Sequence, residues 1–206
     1  MSTIDSALGD SALGDSMLAL PAGDTALPAR SLKLGGLAAG AAGLMLSGAL
    51  SAAYLGLRSH AAEWPPKGFE VDAFLGVMLT LTAVMTATFA AWALSADARG
   101  QRRQAAAALT LAAFVGLCLL NGVWYLGTRI GLGAASSPYA TMSYALLGAI
   151  GVLLAAGVVG LLAAVAKVGG RQSGPSFPGV VQAAVWFWQL TLVAWIVVWA
   201  TLFLVK

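Results

Sequence analysis

Between Arg129 and Lys167 the chain runs IGLGAASSPYATMSYALLGAIGVLLAAGVVGLLAAVA (residues 130–166) without one charged side chain. A helix needs about 20 residues to cross the hydrocarbon core of a bilayer, and this run exceeds that. Four more uncharged segments follow the same rule: 34–57, 73–96, 104–128 and 172–205. No acidic residue enters any of them, because all carboxylates sit at Asp5, Asp10, Asp15, Asp24, Glu63, Glu70, Asp72 and Asp97. In lipid only helices and closed barrels satisfy their own backbone, and runs this long without strand alternation are helical. The expected fold is all-α, an integral membrane bundle of five transmembrane helices. Its spans are expected at roughly 34–57, 73–96, 104–128, 140–166 and 181–205.

Composition agrees. Hydrophobic residues make up 60% of the chain and charged residues 9%, against about 25% charged in a soluble domain. The net charge of +3 implies no nucleic-acid partner, because the basic residues are dispersed at segment ends. Cys118 is the one cysteine and lies in an apolar segment. No intrachain disulfide is possible, and the residue reads as a packing thiol.

Residues 1–32 are set apart as a mobile, low-complexity tail ahead of a membrane domain of 33–206. The repeat Asp5-Ser-Ala-Leu-Gly, Asp10-Ser-Ala-Leu-Gly, Asp15-Ser lacks the basic start and apolar core of a signal peptide, so cleavage is not expected. Leu8, Leu13, Leu18 and Leu20 leave open a segment that folds on a partner. With the amino terminus inside, Arg30, Lys33, Arg99, Arg102, Arg103, Lys167 and Arg171 are inside, and Arg58, Lys67, Arg129 and Lys206 outside. The positive-inside rule therefore predicts amino terminus in and carboxyl terminus out.

The first span is built from small residues, and Gly36 and Gly40 share one helical face. Such a face lets another backbone approach closely, within this chain or in another subunit. Gly148, Gly151, Gly157 and Gly160 give the fourth span the same character. Trp188, Trp195 and Trp199 form a stripe on the last span. Seven residues rise about 10 Å, so Trp188 and Trp195 cannot both occupy one headgroup layer. At least one is expected to be packed. Thr80, Thr82, Thr86 and Thr88 are expected to bond their own helix carbonyls.

Chemical equipment is sparse. No acidic, basic or histidine side chain stands in mid-span, whereas membrane enzymes and ion pumps normally carry such groups there. His60, the one histidine, falls in the first outside loop, and a haem, copper or zinc site needs several ligands. Neither a phosphate-binding loop nor a nucleophile with a base in reach is legible. No catalytic, cofactor-binding or metal residue is expected.

Three stretches, in order, carry a resemblance from about residue 36 to the end. Trp64-Pro-Pro follows the first span, with Glu70 before the next. Ser136-Ser-Pro-Tyr139-Ala-Thr-Met-Ser-Tyr144 leads to Gly148 and Gly151. Trp188-Gln189 and Trp195 stand on the closing span. Together they resemble subunit III of the haem-copper cytochrome c oxidases, in its short, five-helix actinobacterial-type form. The family's glutamate in the first of these spans falls at Ala42. Its Gln-x-x-Glu-Tyr becomes Asn121-Gly-Val-Trp124-Tyr125, its paired histidines become Ile150 and Leu153, and its closing His and Asp become Gln189 and Leu192. Each ionisable group has become neutral, which spares the cost of burying a charge and removes any role resting on titration.

The resemblance implies a non-catalytic component of a respiratory oxidase complex in the bacterial cytoplasmic membrane. It would support assembly and stability of a catalytic subunit I-like partner and bind phospholipids between its helices. Haem and copper would reside in the partner subunits. Implied structural or lipid-contact positions are Gly36, Gly40, Trp64, Asn121, Trp124, Tyr125, Tyr139, Gly148, Gly151, Trp188, Gln189 and Trp195. Asn121 and Gln189, as amides within spans, are expected to find interhelical partners. An accessory subunit of a related complex, such as nitric oxide reductase, stays open. So does a free-standing carrier of a small solute, although no inverted repeat or pair of broken spans supports one.

Overall fold

In the computed structural model residues 29–66, 72–131, 133–169 and 177–204 are described. They form five long helices: α1 (Ala29–His60), α2 (Ala73–Ala98), α3 (Arg102–Arg129), α4 (Pro138–Gly169) and α5 (Phe177–Trp199). A π-helical turn, Ala200–Leu204, continues the last. All five are long and apolar enough to cross a membrane, and no strand occurs among the described residues. The all-helical, five-span expectation is borne out. The tail repeat, Lys67, Glu70, Arg171 and Lys206 lie outside the described residues.

Four of the helices outrun, at one end or both, the apolar segments that announced them. α1 takes in Arg30 and Lys33, α3 closes on Arg129, and α4 includes Lys167. Backbone hydrogen bonding continues past the hydrocarbon, where long basic side chains can lay their stems on apolar surface and keep their heads in water. Local chemistry sets the ends. The Asp72 carboxylate accepts from the Phe74 and Leu75 amides at 3.0 and 3.3 Å, capping α2. Pro138 opens α4, where its missing N–H would have had no helical partner, and Ser137 Oγ accepts from the Ala140 amide. Gly100, at φ 71°, allows the tight return from α2 to α3.

Packing centres on α5, which contacts α1, α2 and α4; α3 packs against α2 and α4. The indole of Trp188 fills the middle. A Cβ placed on Gly116 of α3 would lie 2.9 Å from this ring, and one on Gly157 of α4 would lie 2.6 Å from it. The Trp188 ring therefore fits between α3 and α4 because those positions have no side chain. Elsewhere the core is largely alanine and leucine, with Ala90, Ala93, Ala108, Leu109, Leu146 and Leu161 fully buried. Small residues bring backbones close enough for dispersion to hold helices together where hydrophobic driving force is absent.

Candidate functional site

The residues singled out from the sequence separate into four places. The first is the α1–α5 seam. A Cβ on Gly36 would meet the Ala183 carbonyl oxygen at 2.6 Å, and one on Gly40 would meet Leu190 at 2.8 Å. The small-residue face thus packs within this chain.

The second is the α5 core. Trp188 and Trp195 are each 1% exposed, and Trp199 is half-buried. The stripe is packed, as the helix rise required. Trp195 Nε1 donates to Thr80 Oγ1 at 3.1 Å, and Gln189 Nε2 donates to the Ala87 carbonyl at 3.2 Å, tying α5 to α2. Thr80, Thr82, Thr86 and Thr88 each bond the carbonyl four residues back, at 2.9 Å. Thr80 does both, donating to its own helix and accepting from the indole. The positions of the family's lost His and Asp, Gln189 and Leu192, are half-buried here.

The third is a ring cluster at the α1–α4 end. Trp64 stands edge-on to Tyr54 and to Tyr139, with centroids 5.0 and 5.3 Å away. T-shaped contacts of this kind add attraction beyond area burial. Tyr54 was not singled out from the sequence. The signal was present, one buried-facing tyrosine near the end of a span, but only the fold shows that it touches Trp64 and Tyr139.

The fourth is a groove of about 580 Å³ between α3 and α4, open on the side of the bundle. Trp124, Gly148 and Gly151 line it, joined by Val123, Thr128, Tyr144 and Leu147. A Cβ on Gly148 or Gly151 would meet nothing within 4 Å, so this stretch of α4 is uncovered by the chain itself. The lining is apolar apart from Thr128, Tyr144 and the Trp124 edge. Past its end, Arg129 Nε donates to Tyr125 Oη at 2.7 Å and its guanidinium lies 5.1 Å from the Tyr125 ring. At the opposite end of the bundle Lys33 stands 5.9 Å from the Trp186 ring.

Two expectations fail. Within this chain's described residues Asn121 finds no interhelical partner: it is exposed on α3, and its amide makes no hydrogen bond there. The reason is rotational, since α3 turns its Ala112, Leu119 and Val123 side inward and carries Asn121 to the outside. Cys118, read as a packing residue, is exposed on that same outer side. Of the other neutral replacements, Ile150 is buried in the core while Ala42 faces outward. Among the described residues no group of three His, Cys, Asp or Glu side chains could hold a metal ion.

These features define a multi-pass membrane protein with a packed interior, in which the sites open to other molecules lie on its flanks. The chain is similar to the protein named cytochrome c oxidase subunit 3 from Thermostichus vulcanus, at 26% identity over 166 residues. The match covers 78% of this chain and 80% of that protein. No family model matches the chain. That similarity supports the resemblance to the cytochrome c oxidase subunit III family.

Proposed function

We propose that the chain is a non-catalytic subunit of a respiratory haem-copper oxidase in a bacterial cytoplasmic membrane, with its amino terminus inside. It supports assembly and durability of a subunit I-like catalytic partner, which holds the haem and copper. The observation that carries this reading is similarity to a cytochrome c oxidase subunit 3 along most of both chains, joined to five spans in the order the resemblance requires. The character of the interior supports it as well. A solute carrier needs a polar route through its centre, whereas the Trp188 indole occupies the middle of this bundle between Gly116 and Gly157.

The α3–α4 groove is the lipid-binding part of the proposal. Its open glycine floor and apolar walls suit an acyl chain, and Arg129 past one end suits an anionic headgroup. Basic and aromatic side chains gather at the membrane interface for the same reason. Deleting the chain tests the function: membranes should yield less assembled oxidase, and the remainder should lose activity sooner during turnover. Unchanged yield and unchanged active lifetime would overturn the proposal.

A further inference from the structure

We infer that the outer face of α3, centred on Asn121, docks a transmembrane helix of a different polypeptide that offers a hydrogen-bonding group at the depth of this amide. Asn121 stands eight positions before Arg129 on the same helix. At 1.5 Å per residue that is about 12 Å from the basic end. With a hydrocarbon core about 30 Å thick, the amide lies within it, below the reach of headgroups and ester carbonyls.

The contrast with neighbouring polar groups makes the position informative. The hydroxyls of Thr82, Thr86, Thr88 and Thr110 are satisfied on their own helices. Gln189, the other amide at least two turns from both ends of its helix, reaches Ala87 on α2. Asn121 alone of these is held out from the bundle with its donors and acceptor unused. An acyl chain cannot satisfy an amide, and the penalty for leaving one unpaired in hydrocarbon is why polar groups in spans pair across helices.

The shape of the face selects the kind of partner. Phe114, Leu117, Cys118, Asn121 and Tyr125 recur at helical spacing and are all exposed, Phe114 by 64% and Tyr125 by 45%. In a two-fold pair of this chain about an axis normal to the membrane, Phe114 would meet Phe114 and Tyr125 would meet Tyr125. That bulk on both sides would hold the backbones beyond the reach of two short Asn side chains. A helix with small residues opposite Phe114 and Tyr125 can approach, and its hydroxyl, amide or bared carbonyl can meet Asn121. This face borders the α3–α4 groove, whose lining includes Trp124 and Thr128 on the same helix. It adds a docking face to the proposed subunit role without depending on which complex the partner belongs to.

Cys118, one turn away on this face, is a native probe. The intact complex in membranes would be labelled with a benzophenone maleimide, irradiated, and the adduct mapped by mass spectrometry. A cross-link to a transmembrane segment of another polypeptide is expected, absent from Cys118→Ser. In parallel, Asn121→Leu should cut recovery of that same polypeptide about three- to twentyfold in mild detergent, the range of interhelical hydrogen bonds in lipid. Asn121→Gln should retain most of it. Cross-links only to lipid, or to a second copy of this chain, would overturn the inference. So would an Asn121→Leu chain that recovers its partner as well as wild type, since leucine is the better lipid-facing residue. A mapped partner from a complex that purifies without any haem would keep this inference and sink the oxidase reading.

Discussion

Trp188 and Trp124 are the same residue under opposite conditions. Trp188 is 1% exposed between two glycines, whereas Trp124 is 77% exposed on the rim of the α3–α4 groove. Trp188→Ala should therefore destabilise the chain by about 3–5 kcal/mol, the range for deleting a large core side chain. Trp124→Ala should change stability by no more than about 0.5 kcal/mol, as for a surface position. Titrating mixed micelles of the purified chain with a denaturing detergent, followed by helicity, would measure both. Equal losses would contradict the assignment of Trp188 to the core. Gln189→Leu belongs between them. It removes the Ala87 contact, and interhelical hydrogen bonds in lipid average about 0.6 kcal/mol.

Among the helices, α4 offers a controlled comparison. Gly148 and Gly157 lie on one span, yet a side chain at Gly148 meets open space and one at Gly157 meets Trp188. Gly157→Leu should destabilise by about 1–3 kcal/mol or more, because overpacking forces side chains off their rotamers. Gly148→Leu should fold normally and lose bound phospholipid, measured by lipid extraction and mass spectrometry of the purified protein. Retention of the full lipid complement in Gly148→Leu would argue against the groove as the lipid site. On α1, Gly40→Leu should loosen the α1–α5 seam inside this chain, because Leu190 already occupies that space.

The same elements show what could be read in advance. Charge-free runs announced the five helices, since the energetic demand of lipid is so strong, although α4 begins only at Pro138, inside its run. The rise per residue settled that the Trp188–Trp195 stripe had to be packed in part. Rotation of a helix about its own axis was not legible. α3 is apolar nearly all round between Ala105 and Val123, so nothing in its pattern told which way Asn121 and Cys118 would face. The groove escaped for a related reason: Gly148 and Gly157 look alike in sequence, and only the position of Trp188 makes one filled and the other open. Contacts between distant segments, such as Tyr54 with Trp64 and Tyr139, depend on the assembled bundle.

At the scale of the whole molecule, the carboxylates among the described residues stand at the span ends and loops: Glu63, Asp72 and Asp97, with the basic residues around them. The positions where the resemblance places carboxylate and histidine hold Ala42, Trp124, Ile150 and Leu153. A subunit of this composition should influence turnover through structure and lipid. Removing it should shorten active lifetime while leaving the early-time pH–rate profile in place. A displacement of one pH unit would correspond to about 1.4 kcal/mol of proton coupling and would contradict a purely structural role. That outcome would send attention to Glu63 and Asp72.

Membership of a haem-bearing complex can be tested in a single preparation. The chain would be affinity-purified from native membranes in a gentle detergent, and the reduced-minus-oxidised absorbance spectrum of the eluate recorded. Haem bands should co-elute in fixed ratio to this polypeptide, and harsh detergent that strips the chain from its partners should remove them. A colourless eluate from gentle detergent, with the chain emerging alone, would rule out such membership.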